Sequence, residues 1–179
     1  MEAQSPLGKN NLIVREAHLD ELDEVSILIR DAYREYEKNV PSWAWKAYVE
    51  DMMNVRSRLG VAELIVAESN GHLAGAVTLY LDGSLSQEGW PKGWAGIRLL
   101  AVHPAYRGKG IGSSLMQYCL RRSLEKGIKT IGLHTAPMMA VARAMYERMG
   151  FVRAPEFDFQ PAPETVVMAY RLDLFGKSL

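Results

Sequence analysis

Residues 105–115 read AYRGKGIGSSL, a glycine-rich segment with two cations between an apolar run and an amphipathic stretch. Gly108, Gly110 and Gly112 allow the backbone to approach a ligand closely, and the free amides at the start of a following helix attract anions. Arg107 and Lys109 can add charge-assisted hydrogen bonds to phosphate oxygens. The segment therefore predicts a phosphate-binding loop.

Two widespread glycine loops do not fit this segment. A phosphate-loop NTPase has a lysine directly after its last glycine, whereas Ser113 follows Gly112 here. A dinucleotide-binding loop has a third glycine where Ser113 stands, and an acidic residue about 20 positions further on, which is missing. The pattern that does fit is [RQ]xxGx[GA], formed by Arg107, Gly110 and Gly112.

The elements around the loop predict one mixed α/β domain. Apolar runs predict strands, whereas apolar residues at helical spacing predict helices. The predicted strands cover residues 12–14, 63–69, 73–81, 96–102, 129–134 and 166–172. The predicted helices cover residues 20–36, 42–60, 110–126 and 137–149. Asn70-Gly71 predicts a hairpin turn, and residues 82–94 predict an ordered surface loop.

Composition narrows the functional classes. The chain has 179 residues and a formal net charge of +0, so no overall field attracts nucleic acid or an anionic membrane. One cysteine, Cys119, excludes an internal disulfide and a cysteine-based metal cluster. No apolar run has the length of a membrane span, so the default interpretation is a cytoplasmic protein without a metal.

With these motifs in hand, the chain resembles the GNAT family of N-acetyltransferases. The resemblance extends from Leu12 to Leu172, and its most specific parts are LLAVHPAYRGKGIGSSLM (99–116) and ARAMYERMGF (142–151). It implies one acetyltransferase domain over residues 1–179, with residues 1–10 as a flexible N-terminus. The implied fold has three layers, with a central mixed, splayed β-sheet flanked by helices.

The resemblance also implies where acetyl-CoA, the co-substrate, binds. The pantetheine arm lies in the splay and pairs with backbone groups of Leu100, Ala101 and Val102, much as an added strand would. The pyrophosphate lies on the backbone amides of the glycine loop, at Arg107, Gly108, Lys109, Gly110, Ile111, Gly112 and Ser113. Met139 stands where relatives often have an asparagine that contacts the pantetheine.

Acetyl transfer from a thioester to an amine sets the catalytic requirements. The resemblance implies that an amide near Val102 stabilises the oxyanion and that Tyr146 protonates the departing sulfur of CoA. Relatives often carry a glutamate base in the strand before the loop, but the corresponding stretch, WAGIRLL, has no carboxylate. His134, at a strand end, is the candidate base. Glu88, a water chain, or an amine that arrives partly neutral are the open alternatives.

The acceptor is expected to be a primary amine of a small molecule or a peptide. Tyrosines, tryptophans and phenylalanines in the first two helices, the 82–94 loop and the C-terminal segment predict either acceptor walls or lid packing. The alternative functions are a non-catalytic CoA-binding sensor, and an acyltransferase that uses a longer acyl donor or a hydroxyl acceptor. Exposed loop aromatics also fit a homodimer contact.

Overall fold

The computed structural model describes residues 11–176. The flexible N-terminus predicted for residues 1–10 lies outside the described residues. Within them, the strands are β1 Leu12–Glu16, β2 Glu63–Ser69, β3 His72–Tyr80, β4 Ala95–Val102, β5 Thr130–Thr135, β6 Val152–Arg153, β7 Phe159–Ala162 and β8 Thr165–Asp173. The α-helices are α1 Leu22–Tyr33, α2 Ser42–Met53, α3 Ile111–Glu125 and α4 Ala140–Arg148.

The strands form one mixed sheet in the order β1-β2-β3-β4-β5-β8-β6, with β7 paired to β8. The β4 and β5 strands are parallel neighbours, and the other pairs are antiparallel. On one face of the sheet, Leu115, Met116 and Leu120 of α3 belong to the same buried core as Ile131 and Leu133 of β5. On the opposite face, the apolar sides of α1 and α2 pack over β2, β3 and β4. The predicted three-layer α/β fold is confirmed.

The parallel pair separates partway along its length. Register pairing between β4 and β5 runs from Ala95 with Ile131 to Ile97 with Leu133. Beyond this point β4 continues to Val102 beside β3, but its edge towards β5 is unpaired. Leu99, just beyond the last pair, has a φ of +53°, where its β-register with β3 also shifts. This left-handed conformation is costly for a leucine and marks a bulge that turns the strand. The predicted splay is therefore present at this point, which we call the fork.

Several element ends differ from the sequence predictions. α1 ends at Tyr33 and continues as a 3₁₀ helix over Arg34–Asn39, and α2 ends at Met53 before a second 3₁₀ helix over Val55–Arg58. α4 begins at Ala140 rather than at residue 137. Helical spacing of apolar residues does not distinguish the two helix types over so few residues, which explains the longer predictions.

The loop 82–94 is not confined to the surface. Trp90 is 3% exposed, and a Cβ added to Gly132 of β5 would lie 2.7 Å from its ring. A Cβ added to Gly96 of β4 would lie 3.0 Å from the same indole. The two strand glycines thus make room for a loop tryptophan on the sheet, which the loop's polar composition concealed.

Candidate active site

A groove of about 570 Å³ follows the unpaired end of β4. One wall comes from the end of α1, with Ala32, Tyr33 and Tyr36, and the floor comes from β4. The glycine loop closes one end of the groove, while His134 and Tyr146 lie among the residues towards the fork and α4. The structure therefore brings every site residue predicted from the sequence, except Lys109, onto the lining of one groove.

The glycine loop has the backbone conformation that its sequence predicts. Gly108 and Gly110 have φ angles of +74° and +77°, which side-chain-bearing residues rarely adopt. Gly110 is also the N-cap of α3, a helix of 15 residues whose first amides have no partner within the helix. Gly112, in the first turn, faces Val102 and Met145 at ordinary contact distance. The loop thus presents free amides and the positive end of a helix dipole to the groove.

The Arg107 side chain binds protein rather than pointing freely into the groove. Its guanidinium donates to the Ala32 carbonyl at 3.0 Å and forms a 2.7 Å ion pair with Glu35. It also contacts the Val102 carbonyl at 3.4 Å, while Lys109 lies over the Tyr106 ring at 5.3 Å from its centroid. Arg107 therefore joins the glycine loop to the end of α1. The sequence prediction that Arg107 binds phosphate did not include this contact.

The unpaired backbone of β4 is also contacted by α1. The Tyr33 hydroxyl donates to the Leu100 carbonyl at 2.9 Å. Its ring makes edge contacts with Tyr36 and Tyr48, each at 6.0 Å between centroids, and Tyr48 contacts Trp45 at 6.2 Å. These aromatic residues pack among themselves, so Tyr33 and Tyr36 supply an aromatic wall to the groove.

Tyr146 of α4 fits the role of a proton donor. Its side chain is buried, lines the groove and packs on Phe151, yet among the described residues its hydroxyl has no hydrogen-bond partner. Burial raises the pKa of Tyr146 well above that of an ordinary tyrosine, with the phenols of Tyr36 and Tyr48 contributing. The phenol therefore stays protonated at neutral pH and is free to donate.

The His134 side chain has polar partners at both ring nitrogens and aromatic rings packed against it. Its Nδ1 lies 3.3 Å from Glu88 Oε2, and its Nε2 lies 2.9 Å from the Phe157 carbonyl oxygen. The imidazole stacks on Trp90 at 4.5 Å, contacts the edge of Phe159 at 4.9 Å and is 4% exposed. Both ring nitrogens face acceptors, and only the doubly protonated imidazolium donates to both. In this arrangement neither nitrogen offers a lone pair to an incoming amine.

A network of charges extends from His134 across the fork. Glu88 Oε1 accepts from Arg98 Nε of β4 at 2.7 Å, so one carboxylate joins Arg98 and His134. Arg98 also donates to Asp51 of α2 at 2.9 Å, and Arg58 lies 3.6 Å from the same carboxylate. We call these five residues the fork cluster. Burial opposes the charge of Arg98, but Glu88 and Asp51 outweigh it and raise its pKa.

The fork cluster contains residues that sequence reasoning did not assign. In the sequence, Arg98 marks only the absence of a strand carboxylate, and no pattern points to Asp51 or Arg58. The sequence does offer one indication for Glu88. Because it lies two positions before Trp90, its position is fixed by the place where that tryptophan packs. Trp90 packs on Gly96 and Gly132, directly before the fork.

Met139 lies at the start of α4 as a lining residue of the groove. Its sulfur accepts a hydrogen bond from the Thr135 hydroxyl at 3.7 Å. Met138, Val141 and Met145 line the same side, so this wall is apolar. A thioether cannot reproduce the hydrogen bonds of an asparagine amide, and contacts from this wall to a ligand are therefore mainly van der Waals contacts.

Other chemistries have no counterpart in the part of the chain that the structure describes. Over residues 11–176, no group of three or more histidine, cysteine, aspartate or glutamate side chains could hold a metal ion. Cys119 is buried, and burial raises the pKa of its thiol far above the usual range. Among the same residues, no helix has the length and apolar character needed to cross a membrane.

Comparison with known sequences places this geometry in a family. Residues 22–151 match the sequence profile described as the acetyltransferase (GNAT) family. A mycothiol acetyltransferase from Cellulomonas flavigena is 33% identical over 105 residues, which make up 57% of this chain and 30% of that relative. The N-alpha-acetyltransferase MAK3 of Arabidopsis thaliana is 36% identical over 58 residues, or 32% of this chain and 30% of that protein. The matches thus span under a third of these curated relatives.

Solved structures share the fold over nearly the full chain. The PaiA N-acetyltransferase from Thermoplasma acidophilum, in complex with coenzyme A, has a TM-score of 0.68 at 18% identity, covering 89% of this chain and 98% of that chain. A GNAT-family acetyltransferase from Staphylococcus aureus Mu50 has a TM-score of 0.71 at 18% identity, covering 91% and 99%. YncA from Salmonella typhimurium, with its cofactor acetyl-CoA, has a TM-score of 0.66 at 16% identity, covering 95% and 98%. The chain belongs to the GNAT family of acetyltransferases, as the resemblance implied.

Proposed function

We propose that this protein transfers an acetyl group from acetyl-CoA to a primary amine by direct attack within a ternary complex. The observation that carries the proposal is the groove itself, which connects an anion-binding glycine loop to the unengaged hydroxyl of Tyr146. The distance between a pyrophosphate and the thioester of CoA requires such an elongated site. Cytoplasmic location and a homodimer are further proposals, the second testable by light scattering.

Acetyl-CoA binding rests on the loop and the unpaired strand. We place the pyrophosphate on the amides of Arg107 to Ser113 and the pantetheine arm along Leu100, Ala101 and Val102. The left-handed glycines and the free helix N-terminus support the first placement. Solved structures of the same fold that hold coenzyme A or acetyl-CoA support the binding of this co-substrate.

The transfer step then needs one proton donor. The amine nitrogen forms a bond to the thioester carbonyl carbon, and the carbon–sulfur bond breaks as the tetrahedral intermediate collapses. Tyr146 gives its phenolic proton to the departing thiolate, so CoA leaves as a thiol. The nitrogen loses one proton to water, and the tyrosinate regains one from solvent. An amide near Val102 stabilises the developing oxyanion.

The sequence leaves four candidate routes for the amine's own proton, namely His134, Glu88, a water chain, and an amine that arrives partly neutral. A base role for His134 remains a prediction, but its two engaged nitrogens favour a positioning role that holds Glu88 and Phe157 at the fork. Glu88 is itself paired with Arg98 and His134. These contacts favour the two routes that use neither side chain, the water chain and an amine that binds without its extra proton. We propose the second.

The experiment that tests the proposal measures free-thiol release from acetyl-CoA with a broad panel of amines. We expect turnover with at least one amine class and a loss of 10²-fold or more in kcat on Tyr146→Phe, about the contribution of a general acid. Tyr118→Phe, which removes a phenol on α3 outside the groove, is the matched control. Undiminished kcat in Tyr146→Phe would contradict the assigned acid.

The same assay distinguishes the remaining alternatives. Family membership argues against a non-catalytic sensor. In the assay, a sensor would bind acetyl-CoA but would release no free thiol with any acceptor amine. A preference for longer acyl-CoA donors would match the apolar wall of Met138, Met139 and Met145. Product mass spectrometry separates amide formation from ester formation and so tests a hydroxyl acceptor.

A further inference from the structure

The charges of the fork cluster indicate what kind of amine can bind there as the acceptor. This inference rests on the proposed function. Arg98 and His134 are the first residues beyond the last β4–β5 pair, and Glu88 joins them from the loop. If the pantetheine arm lies along β4 with its pyrophosphate at the glycine loop, the thioester points towards this fork. An acceptor amine that reaches the thioester from the other end then meets the fork cluster.

Each carboxylate around the fork is already neutralised by a guanidinium. Glu88 pairs with Arg98 at 2.7 Å, and Asp51 pairs with Arg98 at 2.9 Å and with Arg58 at 3.6 Å. The next carboxylate towards His134 is Asp158, which forms a 2.6 Å pair with Arg153. The fork thus holds as many guanidinium groups as carboxylates, and the imidazole of His134 in addition.

The neutral polar groups near the fork do not change this balance. The phenols of Tyr48 and Tyr80 lie close to Arg58 and Arg98, and burial raises the pKa of Tyr48, which keeps that phenol uncharged. An ammonium ion is stabilised when an opposite charge lies within about 4–6 Å and destabilised by a neighbouring cation. At the fork, the carboxylates are paired and the cations are adjacent, so an ammonium gains little there.

We infer that the acceptor is a weakly basic amine, of the class of a peptide's α-amino group, which binds at the fork as the uncharged free base. Such an amine needs no dedicated base to lose its first proton. The aromatic wall of Tyr33 and Tyr36 supplies apolar contact beside the nucleophile. A strongly basic side-chain amine, such as that of lysine, is a poor acceptor because nearly all of it is protonated at neutral pH.

An internal competition tests this inference. The purified full chain and acetyl-CoA are incubated with one peptide that carries both a free α-amino group and a lysine, and mass spectrometry locates the acetyl group. For reference pKa values of about 8.0 and 10.4, the free-base fractions differ about 200-fold at pH 7.5 and about 9-fold at pH 9.5. We expect at least tenfold more α- than ε-acetylation at pH 7.5 and a smaller ratio at pH 9.5. An enzyme-free reaction gives the background.

The outcomes separate the inference from the proposed function. Equal or greater ε-acetylation at pH 7.5, or a ratio that does not change with pH, would overturn the inference and leave the acetyltransferase proposal intact. Bound acetyl-CoA with no transfer to either amine, nor to any amine of the panel, would overturn both.

A variant then assigns the selectivity to the fork. Arg98→Met leaves Glu88 without its guanidinium partner, so the carboxylate can bind a lysine ammonium and take its proton before the amine attacks. We therefore expect the α-to-ε ratio at pH 7.5 to fall several-fold. Arg56→Gln is the control, because Arg56 forms an exposed pair with Asp23 away from the groove, and it should leave the ratio unchanged. A product ratio does not depend on the amount of folded enzyme. An unchanged ratio in Arg98→Met contradicts the inference, and the wild-type pH dependence tests it without any variant.

Discussion

The indole of Trp90 lies against the backbone of Gly132, so closely that a Cβ at residue 132 would be 2.7 Å from Cζ3 and 2.8 Å from two further ring atoms. This contact fixes the 82–94 loop on the sheet and carries Glu88 to the fork. It also makes His134, two residues further along β5, a stacking partner of the same indole at 4.5 Å. Trp90 and the glycine beneath it therefore position the fork, where we propose that the acceptor binds.

Gly132→Ala is expected to destabilise the protein. The added methyl group must displace Trp90 or the strand, and overpacking of this kind costs about 1–3 kcal/mol. The free energy of unfolding from urea titration measures the effect. Gly112→Ala is the control for stability, because its Cβ would meet Met145 and Val102 at 3.6 Å, an ordinary contact distance. Equal stabilities for the two variants would show that the indole moves away without cost.

Arg107 is expected to support coenzyme A binding through its hold on α1. Arg107→Met removes the contacts to Ala32 and Glu35 that fix the glycine loop, as well as a cation near the pyrophosphate. We expect the Kd for coenzyme A, measured by calorimetry, to rise at least tenfold. Arg121→Met, an exposed arginine on α3, is the matched control.

Glu35→Gln separates the two contributions of Arg107. It releases the guanidinium from a half-exposed ion pair that contributes only about 0–1 kcal/mol to stability. If the freed guanidinium binds phosphate, the affinity for coenzyme A stays the same or increases. A tenfold loss of affinity in Glu35→Gln would instead show that the loop needs the pair itself.

The sequence was most informative where the determinants are local. The glycine loop, the start of α3 and the strand β4 are each specified by residues within one short stretch, and all three lie where the pattern indicates. The fork cluster joins residues from α2, the following 3₁₀ helix, a loop and two strands. Its assembly depends on Gly96 and Gly132 accepting one tryptophan, and no local pattern relates those three positions. In the sequence, Arg98 only marks a stretch without the glutamate base that relatives often have. Its partner, Glu88, is ten residues away in the chain and is brought to it by the fold.

Asp158 is expected to stabilise the segment that contacts His134. It accepts from the Ala169 amide at 2.7 Å and pairs with Arg153, and the hydrogen bond from Arg153 contributes most to lowering the pKa of Asp158. A carboxyl whose pKa is lowered by folding contributes stability above its unfolded pKa of about 3.9, and this contribution is lost as the pH falls through the folded value.

Asp158→Asn should therefore lower the free energy of unfolding by about 1–2 kcal/mol at pH 7. This lies at the low end of the range for hydrogen bonds to a charged group, because solvent screens the partly exposed Arg153–Asp158 pair. The difference from wild type should shrink as the pH is lowered below 4. Urea unfolding at pH 7 and at pH 3 provides the measurement. Glu156→Gln, an exposed carboxylate of the same turn, is the control and should have a smaller effect at both values. A constant difference would mean that the charge of Asp158 is not involved.

Tyr146 sets an expectation for the alkaline side of the pH profile. Burial raises the pKa of its phenol, so the proton donor stays protonated through the range in which an ordinary tyrosine, near 10, begins to ionise. We expect kcat to show no decline up to about pH 10 with a saturating amine. A decline centred near pH 9 that is absent in Tyr146→Phe would contradict this expectation.

His134→Gln distinguishes a base from a positioning residue. A glutamine can still donate to the Phe157 carbonyl or to Glu88, but it cannot take a proton from an amine. If His134 is the base, kcat falls by about 10²-fold or more and the acidic limb of its pH profile disappears. We expect instead that kcat falls less than tenfold, that the acidic limb of kcat/KM for the amine remains at the pKa of the free amine, and that the KM for the amine rises. The limb should then move when the acceptor amine is exchanged for a less basic one, because the titrating group belongs to the substrate rather than to the enzyme.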